Sequence, residues 1–187
     1  MRRLPPGPHG LPPELVERNQ RERLISAMAE VCAERGYVES SVAEVAKRAG
    51  VSTASFYRQF KDKRECMLAS FEELFGRLLE AIAAACAPGA GARARAGAEL
   101  AANLLAGDRP AARLLSVEIL AVGTEGVLAQ HDAIERLAAL LREPGETASA
   151  PDAAWACVAA MTALVARRMA EGRSPEPAEL QALTKEL

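Results

Sequence analysis

Histidine, cysteine and tryptophan are scarce in this chain, with two, four and one copies in 187 residues, and each shortage narrows what it can do. His9 and His131 are the only imidazoles. With no His-Glu-x-x-His pair and no glycine-rich phosphate loop beside them, the usual general bases and cofactor cradles of an enzyme are missing. Cys32, Cys66, Cys86 and Cys157 lie far apart without a Cys-x-x-Cys pair, which argues against a metal site and fits a reducing cytoplasm. No cofactor is expected. Cys32 falls on the apolar stripe Leu24, Ile25, Met28, Val31 and reads as core, with a redox-sensing thiol as the alternative. No apolar run approaches ~20 residues, so no membrane span is expected. Prolines 5, 6, 8, 12 and 13 follow Arg2 and Arg3 where a signal peptide would need its apolar stretch. Strand-like alternation and long-period repeats are absent as well.

What remains is helix. Half the residues are hydrophobic, enough for one substantial core or two small ones. Net charge is −2, but it is unevenly placed: residues 1–70 carry 12 Lys+Arg against 9 Asp+Glu, and residues 71–187 carry 11 against 16. A basic first part on an acidic body suits a protein that turns one end toward phosphates. Residues 1–13 read as a flexible proline-rich arm, with Arg2 and Arg3 in a minor groove as the alternative.

The segment from Gly36 to Met67 is the most informative. Ser41-Val42-Ala43-Glu44 has capping-box spacing and predicts a helix from Val42, with Val45, Ala46 and Ala49 inward and Lys47 and Arg48 outward. Gly50 closes it, Val51 is a buried link and Ser52 caps the next, shorter helix, Thr53 to Phe60, with Phe56 and Phe60 on its inner face. Asp62-Lys63-Arg64-Glu65 is a second capping box opening a long helix. Helix, glycine turn, short helix and long helix is the arrangement that lays a recognition helix in the major groove.

Over about residues 20 to 70 the chain resembles the TetR family of bacterial transcriptional regulators. The residues that carry the likeness are Arg23, Leu24, Ile25, Ala27, Val31, Gly36-Tyr37, Ser41-Val42, Val45-Ala46, Ala49-Gly50-Val51-Ser52, Phe56-Tyr57, Phe60, Lys63 and Met67. Arg58-Gln59 departs from the aromatic or histidine residues frequent there, so the DNA sequence read should differ. The resemblance implies an all-α fold of about nine helices. A three-helix helix-turn-helix DNA-binding domain, residues 14–67, would precede a helical regulatory and dimerisation domain, residues 68–187. Arg58, Gln59, Thr53, Ala54 and Ser55 are the base-reading candidates by hydrogen-bonding and methyl-contact capacity. By resemblance Tyr57 contacts phosphate, joined by Lys63, Ser41 and the N–H groups that begin the second helix, with Ser52, Lys47 and Lys61 alongside.

Beyond residue 67 the pattern predicts a helix from Lys63 to about Ala87 stopped by Pro88-Gly89-Ala90-Gly91, then helices over 92–106, from Asp108 as N-cap to Val122, over 125–142, over 152–171 and over 177–185. The run from Ala153 to Ala166 is apolar nearly all round and should be buried on two sides, by its own domain and, as the resemblance implies, by a second copy. The resemblance also implies a ligand pocket for a small-molecule effector, with Phe71, Phe75, Leu78, Leu104, Leu115 and Met161 as candidate walls and Trp155 at its edge or at the interface. Asn103 and Glu118 are polar residues in apolar sequence. Both are candidate pocket residues; the Glu118 carboxylate suits a cationic ligand, but the favoured reading is an internal hydrogen bond or a salt bridge to an arginine. The reading is a dimeric regulator of an inverted-repeat operator, a repressor by family analogy, released by its effector. The alternatives are a helical protein-binding adaptor and an enzyme with an incidental helix-turn-helix.

Overall fold

A computed structural model describes residues 12–85, 93–142 and 153–183. The described elements are helices α1 Pro13–Arg35, α2 Val42–Ala49, α3 Thr53–Gln59, α4 Lys63–Ala85, α5 Arg93–Gly107, α6 Arg109–Ser116, α7 Thr124–Leu141, α8 Ala153–Ala170 and α9 Pro177–Ala182, with a 3-10 turn Glu118–Val122 between α6 and α7. No strand occurs among the described residues. None of their helices is long and apolar enough to cross a membrane. The arm with Arg2 and Arg3, Cys86, the Pro88–Gly91 stop, the loop before Pro151, the start proposed at Asp152 and the end proposed at Lys185 lie outside the described residues.

Local chemistry sets most of the boundaries. Pro13 already stands in the first turn of α1, one residue into the stretch read as arm. At Ser41 both halves of the capping box form: the hydroxyl accepts from Glu44 N, and the Glu44 carboxylate accepts from Ser41 N at 2.9 Å. Gly50 adopts φ 65°, ψ 38°, the left-handed cap that a side-chain-bearing residue enters only at a penalty. Arg23 of α1 donates to the carbonyls of Ala49 and Gly50, filling acceptors that the end of α2 leaves open. The second box is different from the one expected. Asp62 Oδ1 accepts from Glu65 N at 2.8 Å, but the Glu65 carboxylate reaches past Asp62 to Lys61 N at 2.5 Å. Phe60 is buried as expected, although it caps α3 with extended backbone instead of continuing it, and Val51 is only half-buried.

The helix predicted to run from Asp108 to Val122 breaks. Asp108 does cap it, accepting from Ala111 N at 3.0 Å, but α6 stops at Ser116, and the chain turns at Val117 into the 3-10 segment. Two contacts account for the break. Gln130 of α7 donates Nε2 to the carbonyls of Leu115 and Ser116, taking the acceptors freed there, and Glu118 is drawn inward to polar partners described below. Gly126 lets α7 lie against this turn, since a Cβ there would stand 1.9 Å from the Ile119 carbonyl oxygen.

One apolar cluster joins Leu24, Met28 and Cys32 of α1, Val45 of α2, Phe56 and Phe60 around α3, and Met67, Phe71 and Phe75 of α4 to Leu114, Ile119 and Ala133 farther along. Helices α1 to α3 and the following body therefore share packing across position 67. Two smaller clusters lie between α5, α6, α8 and α9 and between α4, α5, α7 and α8.

Candidate nucleic-acid interface and ligand cavity

On α3 the side chains of Thr53, Ala54, Tyr57 and Arg58 are exposed, while Phe56 is fully buried and meets Tyr57 edge-on at 5.5 Å. Tyr57 is 58% exposed, so its phenol stands free of the core on the outer surface. Gln59 is half-buried at the end of the helix; Ser52 and Lys61, which flank the helix, and Lys47 of α2 are exposed. Among the described residues no carboxylate pairs with Lys47, Arg58 or Lys61, whereas Arg48 is held by Glu30 and Glu34, Arg35 by Glu44 and Arg64 by Glu125. Arg58 and Lys61 thus stand unneutralised on and just after α3, and Lys47 on α2.

Four expected contact residues have their polar groups engaged within the chain. Ser55 is 8% exposed and turned inward. Its hydroxyl lies 3.0 Å from Ser52 Oγ and accepts from Arg58 Nη2 at 2.8 Å, so it orients Arg58 and does not itself reach outward. The Ser52 hydroxyl is also engaged, accepting from Ser55 N at 3.0 Å as the cap of α3. Lys63 departs most from expectation. Its ammonium donates to the carbonyls of Tyr37 and Ser40 at 2.7 Å each and Val38 at 3.3 Å, and it lies 4.3 Å from the centre of the Tyr37 ring. An ammonium has three protons, and all three face loop carbonyls, so Lys63 clamps the α1–α2 loop and has none left for a phosphate. Ser41, too, gives its hydroxyl proton to Glu44, at 2.7 Å.

A narrow cavity of 80 Å³ opens among α4 to α9. Phe71, Phe75, Leu78, Leu115 and Met161 line it as expected, together with Ala101, Ala112, Ala133, Ile134, Val158 and Val165. Leu104 is 40% exposed and Asn103 faces solvent, so both leave the wall; α5 turns its Ala101, Leu105 side inward instead. Trp155 is half-buried beside His131, ring centres 6.0 Å apart, and is not part of the lining. Three polar side chains reach the wall, and each gives its proton to backbone: Ser116 to Ala112 O, Thr162 to Val158 O, and Gln130 to Leu115 and Ser116 O. The cavity is a hydrocarbon slot with its donors already committed.

Glu118 is not at the cavity. It is 5% exposed and makes the internal salt bridge to an arginine that its sequence setting favours, accepting from Arg113 Nε at 2.8 Å and from Tyr37 N at 2.6 Å. Cys32 lies near this cluster and is buried, as expected for core; desolvation pushes its thiol up to about 11. Cys66 is pushed up to about 12 for the same reason.

Residues 24–70 match the family model described as bacterial regulatory proteins, tetR family. The likeness to that family thus covers the helix-turn-helix segment. The fatty acid metabolism regulator protein of Bacillus subtilis (strain 168) is 40% identical over 58 residues, which are 31% of this chain and 30% of that relative. The alignment thus spans under a third of the relative's length. Over a wider span the fold is similar to that of the fatty acid degradation regulator FadR from Bacillus halodurans. Its TM-score is 0.75 at 19% identity, covering 89% of this chain and 93% of that one. FadR from Bacillus subtilis, solved in complex with stearoyl-CoA, gives a TM-score of 0.72 at 24% identity, covering 89% of this chain and 96% of that one. These two likenesses place the helices of this chain beyond residue 70 in the same overall arrangement.

Proposed function

We propose that this chain is a homodimeric, sequence-specific DNA-binding transcriptional repressor that leaves an inverted-repeat operator when an acyl-chain ligand enters its cavity. The observation that carries the reading is the α2–turn–α3 unit with Thr53, Ala54, Tyr57 and Arg58 exposed on α3, Lys61 unpaired just after it and Lys47 unpaired on α2. Tyr57 and the lysines serve the phosphates, and Arg58, Thr53 and Ala54 the base edges. One such helix gives little specificity alone, and a two-fold pair doubles it. Helix α8 supports the pairing: Ala154, Cys157, Val158, Met161 and Val165 are buried within the chain, while Ala156, Ala160 and Ala163 are exposed on another face. A second copy covering that alanine face would bury the helix on both sides.

The ligand class follows from the wall and from the kind of regulator this chain is similar to. An apolar slot without free donors suits an alkyl tail, and a polar headgroup would stay at the mouth. At 80 Å³ the slot is well below the ~300 Å³ at which ligand pockets usually begin, so an occupant must spread the helices. A ligand favouring the spread form then shifts the pair of reading heads away from the spacing the operator needs.

Selection of bound duplexes from a random library, read by sequencing, tests the DNA half. An enriched inverted repeat is expected, and no enrichment from folded dimer would favour the adaptor reading. Titrating a series of acyl-CoAs against that duplex tests the ligand half; an undisturbed complex at saturating concentrations of every chain length would remove the acyl ligand.

A further inference from the structure

Glu118 has no place in the contacts with DNA or in the cavity wall, yet it is a carboxylate 95% removed from solvent. A buried carboxylate persists only where partners satisfy it, and its partners belong to different parts of the molecule. Oε2 accepts the backbone N–H of Tyr37, in the loop that delivers the chain to α2. Oε1 accepts from Arg113 of α6 at 2.7 and 2.8 Å, and Arg113 Nη1 donates to the carbonyl of Met169 near the end of α8 at 3.3 Å. On the far side of Tyr37, its carbonyl accepts from Lys63 at the start of α4, as does the carbonyl of Ser40, one residue before the cap of α2. Ser116, two residues before Glu118, lines the cavity, as do Ala112 and Leu115 on the same helix. A continuous polar line therefore runs from the cavity-lining helices α6 and α8, through one carboxylate, to the loop that seats the helix-turn-helix.

We infer that Glu118 is the positioning residue through which the width of the cavity sets the pose of the DNA-reading helices; this rests on the proposed DNA binding. The geometry makes the joint sensitive. Glu118 lies past the break at Val117, outside α6, so a displacement of α6 reaches the carboxylate through its salt bridge with Arg113. A shift of about 1 Å carries the 2.6 Å bond to Tyr37 N out of hydrogen-bond reach, so the loop must follow or lose its acceptor.

The test is a double-mutant cycle that needs no ligand. Leu115→Trp wedges the cavity from the α6 side, and Glu118→Gln keeps size and an acceptor but removes the charge that holds Arg113. Wild type, both single variants and the double variant are compared in affinity for the selected duplex and, without DNA, in amide hydrogen exchange at Tyr37 to Ser41. In the native background the wedge is expected to change both readouts by roughly fivefold or more. In the Glu118→Gln background it should change each by less than about twofold. Equal effects of the wedge in both backgrounds, or no effect in the native one, would overturn the joint. A purely structural role of Glu118 gives that additive result. If Glu118→Gln does not fold, Arg113→Gln breaks the pair from the other side and is judged by the same outcomes. Should the native protein bind no duplex, the DNA-binding reading fails, and the exchange measurement still decides the joint.

Discussion

Replacing Lys63 by methionine separates two roles that a sequence reading assigns to one residue. Methionine keeps the length and apolar stem and removes only the ammonium, which donates to two carbonyls at 2.7 Å and one at 3.3 Å. Hydrogen bonds to a charged group contribute ~1.5–3 kcal/mol each. The site is half-buried, so water can partly replace the donor, and the third bond is long. Taking the lower figure for the two short bonds alone gives a loss of about 3 kcal/mol. For a chain of this size that lowers the melting temperature by roughly 6–12 °C. Urea denaturation followed by circular dichroism reads the first number, and the salt dependence of duplex binding reads the other role. A direct phosphate contact contributes about one unit to the slope of log K against log salt. If Lys63 clamps the loop, stability falls and the slope holds. Unchanged stability with a slope reduced by about one would refute the assignment.

Four further outcomes are expected. Arg58→Ala should relax preference at one base pair by ~1–3 kcal/mol, and Ser55→Ala, which removes the acceptor that orients Arg58, should relax the same position more weakly; selection on variant proteins shows whether the two affect one base pair or different ones. Gly126→Ala should destabilise by ~1–3 kcal/mol through overpacking against the Ile119 carbonyl, read as a lower urea midpoint, and an unchanged midpoint would mean that the turn yields freely. Ala163→Arg places a charge on the open face of α8 and should yield monomers in sedimentation while the helical signal is kept; a persistent dimer would put the interface elsewhere. The thiols of Cys32 and Cys66 are raised in the fold from 9.0 to about 11 and about 12. Their protonated forms thus favour the folded state fully below about pH 9, and that support is lost as pH climbs through about 9 to 12. Alkaline denaturation should therefore be delayed by Cys66→Ala if the cavity it leaves is tolerated, and native-state thiol titration at pH 8 should leave both unreacted.

The helix-turn-helix was legible because its determinants are local. Ser41 and Glu44 are three residues apart, and Gly50 announces its own turn, so no distant partner is needed to read them. Failures began where a side chain's role depends on something far along the chain. Lys63 looks like a free cation until the carbonyls of Tyr37 and Ser40, 26 and 23 residues earlier, are placed around it. Glu118 meets Tyr37 across 81 residues, and only that contact with the one from Gln130 explains why a helix with unbroken periodicity stops at Ser116. Which side of α5 faces inward depends on how α5 docks, so alanine-rich periodicity placed Leu104 in the wall and left out Ala101 and Leu105. Ser55 is polar in a motif whose polar residues mostly face out, and its inward turn shows only in its bond with Arg58.

The committed donors of Ser116, Gln130 and Thr162 have a consequence for selectivity. A wall that offers no free proton gives no reward to a ligand acceptor, and among plain alkyl chains it can only measure. Each methylene that fits contributes ~0.8 kcal/mol, and the first that does not must displace a helix. Ala101, Ala112 and Ala133 are the graduations of such a ruler. Enlarging any one of them to valine or leucine should shorten the longest chain admitted while leaving the head end untouched, so a set of these replacements would sort homologous tails by length without a single new hydrogen bond.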